Sequence, residues 1–447
     1  MPAVLERLFQ VAARGSSVAA ELRGGAVTFA TMSYIVFVQP AVLSQAAGMD
    51  FGAVMTATCL SAALATLVMG LWANYPIAEA PLMGENFFFA IGVVSLMKVP
   101  WEAALGIVFL SGVLFLGLTL LRVREMVLDA IPASLKAAIA AGIGVFIAFI
   151  GLTQAGIVAK SPAPGAYVQI GDLGSPVALV ALAGLAVTAV SFARGVRAGV
   201  LIGLAFTTTL ALAVGLVRPS GLVSAPPSLA PTFLKMDLGA AWRHVDLVLV
   251  FLIMLVFDTV GTLIGVSEQA GLTVDGRLPR ADRAMLADAA GTLAGAALGT
   301  STVSSYIESA SGVAEGARTG LANVVTAVLF LAALFFAPVV AMVGGGVSVA
   351  GLSYYPITAP VVILVGSLMM GQAGKIPWRD PSEAIPAFVT LTLIPFTFNI
   401  AHGVAGGIIF YALVKAGAGR AREVSWLMWA LAAALIAAYA LLPRLRH

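Results

Sequence analysis

Four carboxylates stand in stretches that otherwise carry almost no charge. Asp258 lies in the middle of VLVFLIMLVFDTVGTLIG, and Glu308 ends the hydroxyl-rich stretch Gly299-Thr-Ser-Thr-Val-Ser-Ser-Tyr-Ile-Glu308. Glu85 opens Glu85-Asn86-Phe87-Phe88-Phe89, and Asp288 sits in MLADAAGTLAG. A carboxyl group inside an apolar run can bind and release a proton, and it can accept hydrogen bonds from the N–H groups of a heterocycle. For Asp288, and for Glu79 just ahead of Pro81, a plainer reading competes: each caps a broken helix or pairs with a buried Ser, Thr or backbone N–H. Asp258 and Glu308 resist it, because both would face one cavity from facing segments. Phe87, Phe88, Phe89 and Tyr306 offer faces for a flat ligand, although aromatics in apolar helices usually only pack. Other chemistries lack their parts. His244, His402 and His447 are far apart and Cys59 is alone in an apolar run, so neither a His-rich metal site nor an intrachain disulfide is expected. No cofactor is implied: the glycine clusters Gly142-Ile-Gly144 and Gly344-Gly-Gly346 lack the strand–turn–helix of a dinucleotide site and suit close helix packing or a joint.

The elements that must carry these acids follow from composition. Of 447 residues 60% are hydrophobic and 10% charged, against roughly 25% charged in soluble domains. That excludes a soluble enzyme, a disordered chain and a nucleic-acid-binding chain; the partner is a lipid bilayer. A spanning helix needs about 20 apolar residues. Such runs fall at 25–43, 51–73, 82–97, 101–121, 133–157, 174–193, 198–217, 246–266, 284–299, 302–316, 319–341, 356–373, 384–416 and 425–443, about fourteen in all. The expected fold is an all-α integral membrane protein. The run 384–416 is too long for one simple span and predicts a break near Asn399–Gly403. Residues 1–23 read as an amphipathic lead-in on the membrane surface, without the pattern of a cleaved signal peptide.

Basic residues set the orientation, because cytoplasmic loops accumulate them. With the N-terminus inside, Arg7, Arg14, Arg23, Arg122, Arg124, Lys136, Arg194, Arg197, Arg277, Arg280, Arg283, Arg318, Lys375 and Arg379 are all cytoplasmic. Up to residue 400 the other side holds only Lys98, Lys160, Arg218, Lys235 and Arg243. The expectation is a multi-pass protein of the cytoplasmic membrane with its N-terminus in the cytoplasm. Arg318 reads as an anchor on that side.

The segments divide seven and seven within the Pro-rich stretch 218–232, and an odd number per half inverts the second half relative to the first. Two echoes at nearly equal offsets support the division: Ser44-Gln-Ala-Ala-Gly48 with Ser267-Glu-Gln-Ala-Gly271, and Ala90-Ile-Gly-Val93 with Ala310-Ser-Gly-Val313. Inverted repeats around a midplane site built from broken helices are a recurrent transporter plan. The third and tenth segments are poor helices, one preceded by Pro76, Pro81 and Gly84, the other rich in hydroxyls and β-branched residues. Each is predicted to be a short extended stretch leading into a half-length helix, with free N–H groups aimed at a shared centre.

Several stretches resemble a known family. They are Glu21-Leu-Arg-Gly-Gly-Ala-Val-Thr-Phe-Ala-Thr-Met-Ser-Tyr-Ile-Val-Phe-Val-Gln-Pro40, Phe257-Asp-Thr-Val-Gly-Thr-Leu-Ile-Gly-Val266, Ala287-Asp-Ala-Ala-Gly-Thr292, and the run from Gly299 to Val313 followed by Gly316-Ala-Arg-Thr-Gly320. Together they resemble the AzgA-like purine permease branch of the nucleobase:cation symporter-2 (xanthine/uracil permease) family, over about residues 15–415. The resemblance implies a fourteen-span, seven-plus-seven inverted repeat. It implies a core domain (24–125 with 231–345) moving in an elevator-like way against a gate domain (126–230 with 346–447), and a possible homodimer. It implies import of purine bases (adenine, guanine or hypoxanthine) with protons, without enzymatic activity. By motif position, Asp258 and Glu308 would contact the base and Asn86 matches the polar residue of the third segment, with Phe87 beside it as a stacking partner. Thr262, one helical turn from Asp258, and Tyr306 join them as substrate-binding candidates from the residues themselves, and Asp258, Glu308 and Glu85 are the candidate proton-coupling groups. One departure matters: the branch commonly has Gly-Leu-Asn-Ala where this chain has Gly84-Glu-Asn-Phe87, an added acid beside the site. A carrier of sulfate, bicarbonate or carboxylates on a related fold is the alternative. It would want a cationic or dipolar site, and the deep segments supply acids. An intramembrane hydrolase is disfavoured by the missing nucleophile or metal grouping.

Overall fold

The computed structural model describes residues 3–121, 132–196, 198–273, 278–349 and 351–445. Arg122, Arg124, Arg197 and Arg277, the 125/126 boundary and His447 lie outside the described residues. Helices dominate, and eight of the described ones are at least 18 residues long and apolar enough to cross a membrane. Among the described residues three two-stranded antiparallel pairs accompany them: β1 (Glu79–Pro81) with β4 (Val303–Ser305), β2 (Val158–Lys160) with β3 (Val168–Ile170), and β5 (Val347–Val349) with β6 (Leu352–Tyr354).

Local chemistry fixes where helices start and stop. Ser17, Asp50, Ser175, Asp380 and Asn399 each accept a hydrogen bond from a first-turn N–H of the helix that follows. The two echoed motifs end in helix stops. Gly48 and Gly271 both hold positive φ (70° and 64°) where a helix ends, a conformation that glycine adopts without strain. The long run 384–416 is two helices, Pro381–Thr397 and Ile400–Gly417, with Phe398 left-handed and Asn399 capping the second. The break thus falls at the start of the predicted interval.

Contacts divide the chain into two compact units, 1–121 with 151–361 and 122–150 with 362–447. In the first unit the helix Ala281–Leu298 packs against Phe51–Val68 and Trp101–Leu120, and Leu321–Ala333 packs against Val18–Met32 and Phe51–Val68. The first long helix starts at Val18, so residues 18–23 of the expected lead-in are continuous with it. The reason is Glu21. It is fully buried and accepts hydrogen bonds from the N–H groups of Arg318, Thr319 and Ala322, satisfying the otherwise free start of Leu321–Ala333. In the second unit the hairpin of Pro381–Thr397 and Ile400–Gly417 closes tightly because Gly403 and Gly407 lie against Ile394 and Thr390. Phe398 at the corner packs edge-on to Phe146 and Phe149. Lys415 is buried there between Glu383 (2.6 Å) and Glu423 (2.8 Å).

Candidate substrate site

Both predicted extended stretches are strands, and they pair with one another. Glu79 lies opposite Ser305, Ala80 opposite Ser304, and Pro81 opposite Val303. A two-stranded ribbon at this depth must find partners for its outward-facing backbone groups within the protein. The hydroxyl-rich sequence supplies many of them. Thr66 Oγ1 bonds both the N–H and the carbonyl of Glu79, Thr292 Oγ1 donates to the Val303 carbonyl, and the Ala78 N–H donates to Ser309 Oγ. Beyond Pro81 the chain enters the short helix Met83–Phe87, which widens into a π-helix over Phe88–Leu96. Beyond β4 the short helix Ser309–Ala314 begins, with Glu308 at its N-cap. Two half-helices therefore leave a crossed pair of strands, as an inverted repeat requires.

Glycine lets the first long helix close on this crossing. A Cβ on Gly24 would sit 2.6 Å from that of Ala317 and 2.8 Å from the Gly312 carbonyl, and a Cβ on Gly312 would collide with Thr28 and Gly24. The close approach brings Tyr34, at the break between Val18–Met32 and Ile35–Ala47, onto Glu308. Its hydroxyl donates to Glu308 Oε1 at 2.8 Å. Tyr306 ties the two strands together: its N–H donates to the Ala78 carbonyl at 2.9 Å and its hydroxyl to the Pro81 carbonyl. The Tyr306 hydroxyl lies within reach of that of Tyr34, and Glu308, Glu85 and Asp258 are near enough to act on it electrostatically.

The carboxyl groups of Glu85 and Asp258 lie within hydrogen-bonding reach of each other. Phe88 packs on Phe251 of the acid-bearing helix Val245–Gln269 with ring centres 5.2 Å apart, holding the π-helix beside it. Thr262, one turn beyond Asp258, is half-buried. Glu85, Asn86 and Phe87 are fully buried. Both amide atoms of Asn86 and both carboxyl oxygens of Glu85 lack a well-formed hydrogen bond. Buried polar atoms are almost always bonded, which makes these two side chains candidates for a further partner.

Of the sequence-derived residues, Glu85, Asp258, Tyr306 and Glu308 thus share neighbours, and Asn86 and Phe87 sit on the half-helix that presents Glu85. Tyr34 was missed. Its signal was a tyrosine in the hydroxyl-bearing run Thr31-Met-Ser-Tyr34, but its partner is 274 positions away. The second carboxyl pair was missed too: Glu79 and Asp288, each fully buried, also stand within hydrogen-bonding reach of one another.

Broken half-helices crossing at a polar centre, within a bundle of membrane-spanning helices, define a membrane carrier. The permease family model Xan_ur_permease matches residues 19–406. A guanine/hypoxanthine permease of Bacillus subtilis, PbuG, is 43% identical over 96% of this chain and 97% of its own length. The adenine permease AdeP of Escherichia coli is 41% identical over 94% and 93%. The transmembrane domain of the cyanobacterial bicarbonate transporter BicA superposes with a TM-score of 0.64 over 86% of this chain and 97% of that one, at 14% identity, a likeness of fold alone. The chain belongs to the xanthine/uracil permease family, nucleobase:cation symporter-2, with AzgA-like relatives among those it matches. It is a multi-pass, mostly helical integral membrane permease that shares its fold with the BicA transmembrane domain, and not an enzyme.

Proposed function

We propose that this permease carries purine nucleobases, the compounds for which PbuG and AdeP are named, into the cell together with protons. One observation supports the reading: Glu85 and Asn86 carry buried polar atoms without a hydrogen bond, and Glu85, Asp258 and Glu308 all act electrostatically on Tyr306. A purine presents ring and exocyclic N–H donors beside ring-nitrogen and carbonyl acceptors on one flat edge. Carboxylates take the former, the Asn86 amide and a protonated carboxyl serve the latter, and Phe87 or Tyr306 covers a face. Asp258, Glu308 and Glu85 are the groups proposed to take up and release the proton. Neutralising a carboxylate and satisfying it with the base lowers the cost of carrying the site through lipid. The core (24–125 with 231–345) would then move as an elevator past the gate (126–230 with 346–447), with the N-terminus on the cytoplasmic side. Sharing a fold with a bicarbonate transporter does not favour an anion here, because the charged residues proposed for the site are all acids.

The test is uptake of labelled hypoxanthine, adenine and sulfate into proteoliposomes under an imposed pH gradient. Purine accumulation that collapses with the gradient and is abolished by Glu308→Gln is the expected result. Sulfate accumulation, or proton-driven purine uptake that survives intact in that variant, would refute the reading.

A further inference from the structure

The Glu79–Asp288 pair lies outside the proposed coupling groups, and its hydrogen bonds can be followed atom by atom. Ser304 Oγ donates to Asp288 Oδ2 at 2.8 Å, and Ser305 Oγ donates to Asp288 Oδ1 at 2.8 Å. Ser304 Oγ is also 2.8 Å from Thr259 Oγ1. A hydroxyl has one proton, and that of Ser304 is committed to Asp288, so Thr259 must be the donor to Ser304. Asp288 thus has a hydroxyl on each oxygen, an arrangement that favours its ionised, accepting form. Glu79 is the reverse: both its oxygens are buried, and among the described residues no N–H or hydroxyl group bonds either of them. Room for its head is made by Gly291, where a Cβ would stand 2.6 Å from Glu79 Oε2.

Two ionised carboxylates side by side in a medium of low dielectric repel strongly, and one shared proton removes that repulsion. From the helices and strands packed around them, each faces one titratable group among the described residues, the other member of the pair. We propose that Glu79 keeps a proton throughout the transport cycle and donates it to Asp288, as a positioning pair that latches β1 and β4 to the helix Ala281–Leu298. With Asp288 as acceptor, the Ser304, Ser305 and Thr259 hydroxyls all donate towards it, so among the described residues these bonds offer the Glu79 proton no outward relay. The latch fixes Ser304, which fixes Thr259, the residue next to Asp258. The two carboxyl pairs of this protein accordingly divide the work: Glu85–Asp258 faces substrate, and Glu79–Asp288 holds the frame.

Glutamine at position 79 keeps the length, an N–H donor and the single negative charge of the pair. Glu79→Gln is therefore expected to leave kcat/KM for hypoxanthine uptake within about twofold of wild type, with an unchanged pH profile. Glu79→Leu keeps bulk but loses the donor, and should lower kcat/KM about tenfold or more, again without moving the pH profile. A Glu79→Gln variant that binds base but no longer accumulates it, or whose pH profile flattens, would make Glu79 a coupling group and overturn the proposal. These uptake measurements rest on the purine-transport reading; infrared spectroscopy of the purified, ligand-free protein does not. A protonated-carboxyl carbonyl band that persists across the pH range of transport and disappears in Glu79→Gln is expected. A wild-type spectrum without such a band, or one in which it titrates away, would refute the latch whatever the protein carries.

Discussion

Replacing Tyr34 by Phe removes one oxygen atom from the centre and nothing else. Tyr34 is 2% exposed, so the ring remains packed and no cavity forms. What is lost is the 2.8 Å hydrogen bond to Glu308 Oε1, a bond to a group that carries charge in part of the proposed cycle. Such bonds contribute about 1.5–3 kcal/mol, which corresponds to roughly 10- to 150-fold in an equilibrium or rate constant. The loss should fall on kcat/KM for hypoxanthine uptake in proteoliposomes, because Glu308 then meets the base unsupported. Thermal unfolding of the purified variant should stay close to that of wild type. Uptake within twofold of wild type would refute the role given to Tyr34. A melting temperature that falls in step with activity would do so as well, by reducing Tyr34 to packing.

Other outcomes follow from the same geometry. Asn86→Ala should weaken base binding by about tenfold or more without lowering thermal stability, since it deletes a buried amide that the protein leaves unbonded; equilibrium binding and a melting curve read both halves. Gly320→Ala should cost about 1–3 kcal/mol or block folding, because its Cβ would collide with the Gly70 carbonyl; yield and melting temperature of purified protein report it. At the end of the last hairpin, hydrogen bonds from Arg420 hold the carboxyls of Asp380 and Glu423 down at about 2, with Lys415 a further partner for Glu423. Their folded values lie below the unfolded ones, so their support is present above about pH 4 and is lost as pH falls through about 2. Melting curves in that window should be acid-sensitive, and Arg420→Gln should remove much of that sensitivity. These groups lie near water, so high salt should weaken the effect.

Much of the fold was legible because a bilayer leaves a chain few options. Apolar runs had to be helices, and the weakly helical stretches around Pro81 and Ser304 had to find partners inside the protein, which they do as β1 and β4. The acids were legible for the same reason: charge in an apolar run needs a purpose. Partnerships across hundreds of residues were not. Glu21 looked like part of an amphipathic lead-in, yet it caps a helix that starts 300 positions later. Tyr34 stood out by nothing in its own stretch that pointed to Glu308, and only the broken first helix places its hydroxyl there. Glu79 and Asp288 each read as a lone capping acid. Only the register of β1 on β4, Glu79 opposite Ser305, brings their heads together.

A structure determined with hypoxanthine or adenine bound tests the proposed site most directly. The base should lie within hydrogen-bonding distance of Asn86 and of the Asp258 and Glu308 carboxyl groups, an aromatic ring against its face and Glu79 out of contact. A base seated elsewhere, or Asp258 and Glu308 parted by packed hydrocarbon with no ligand between them, would contradict it.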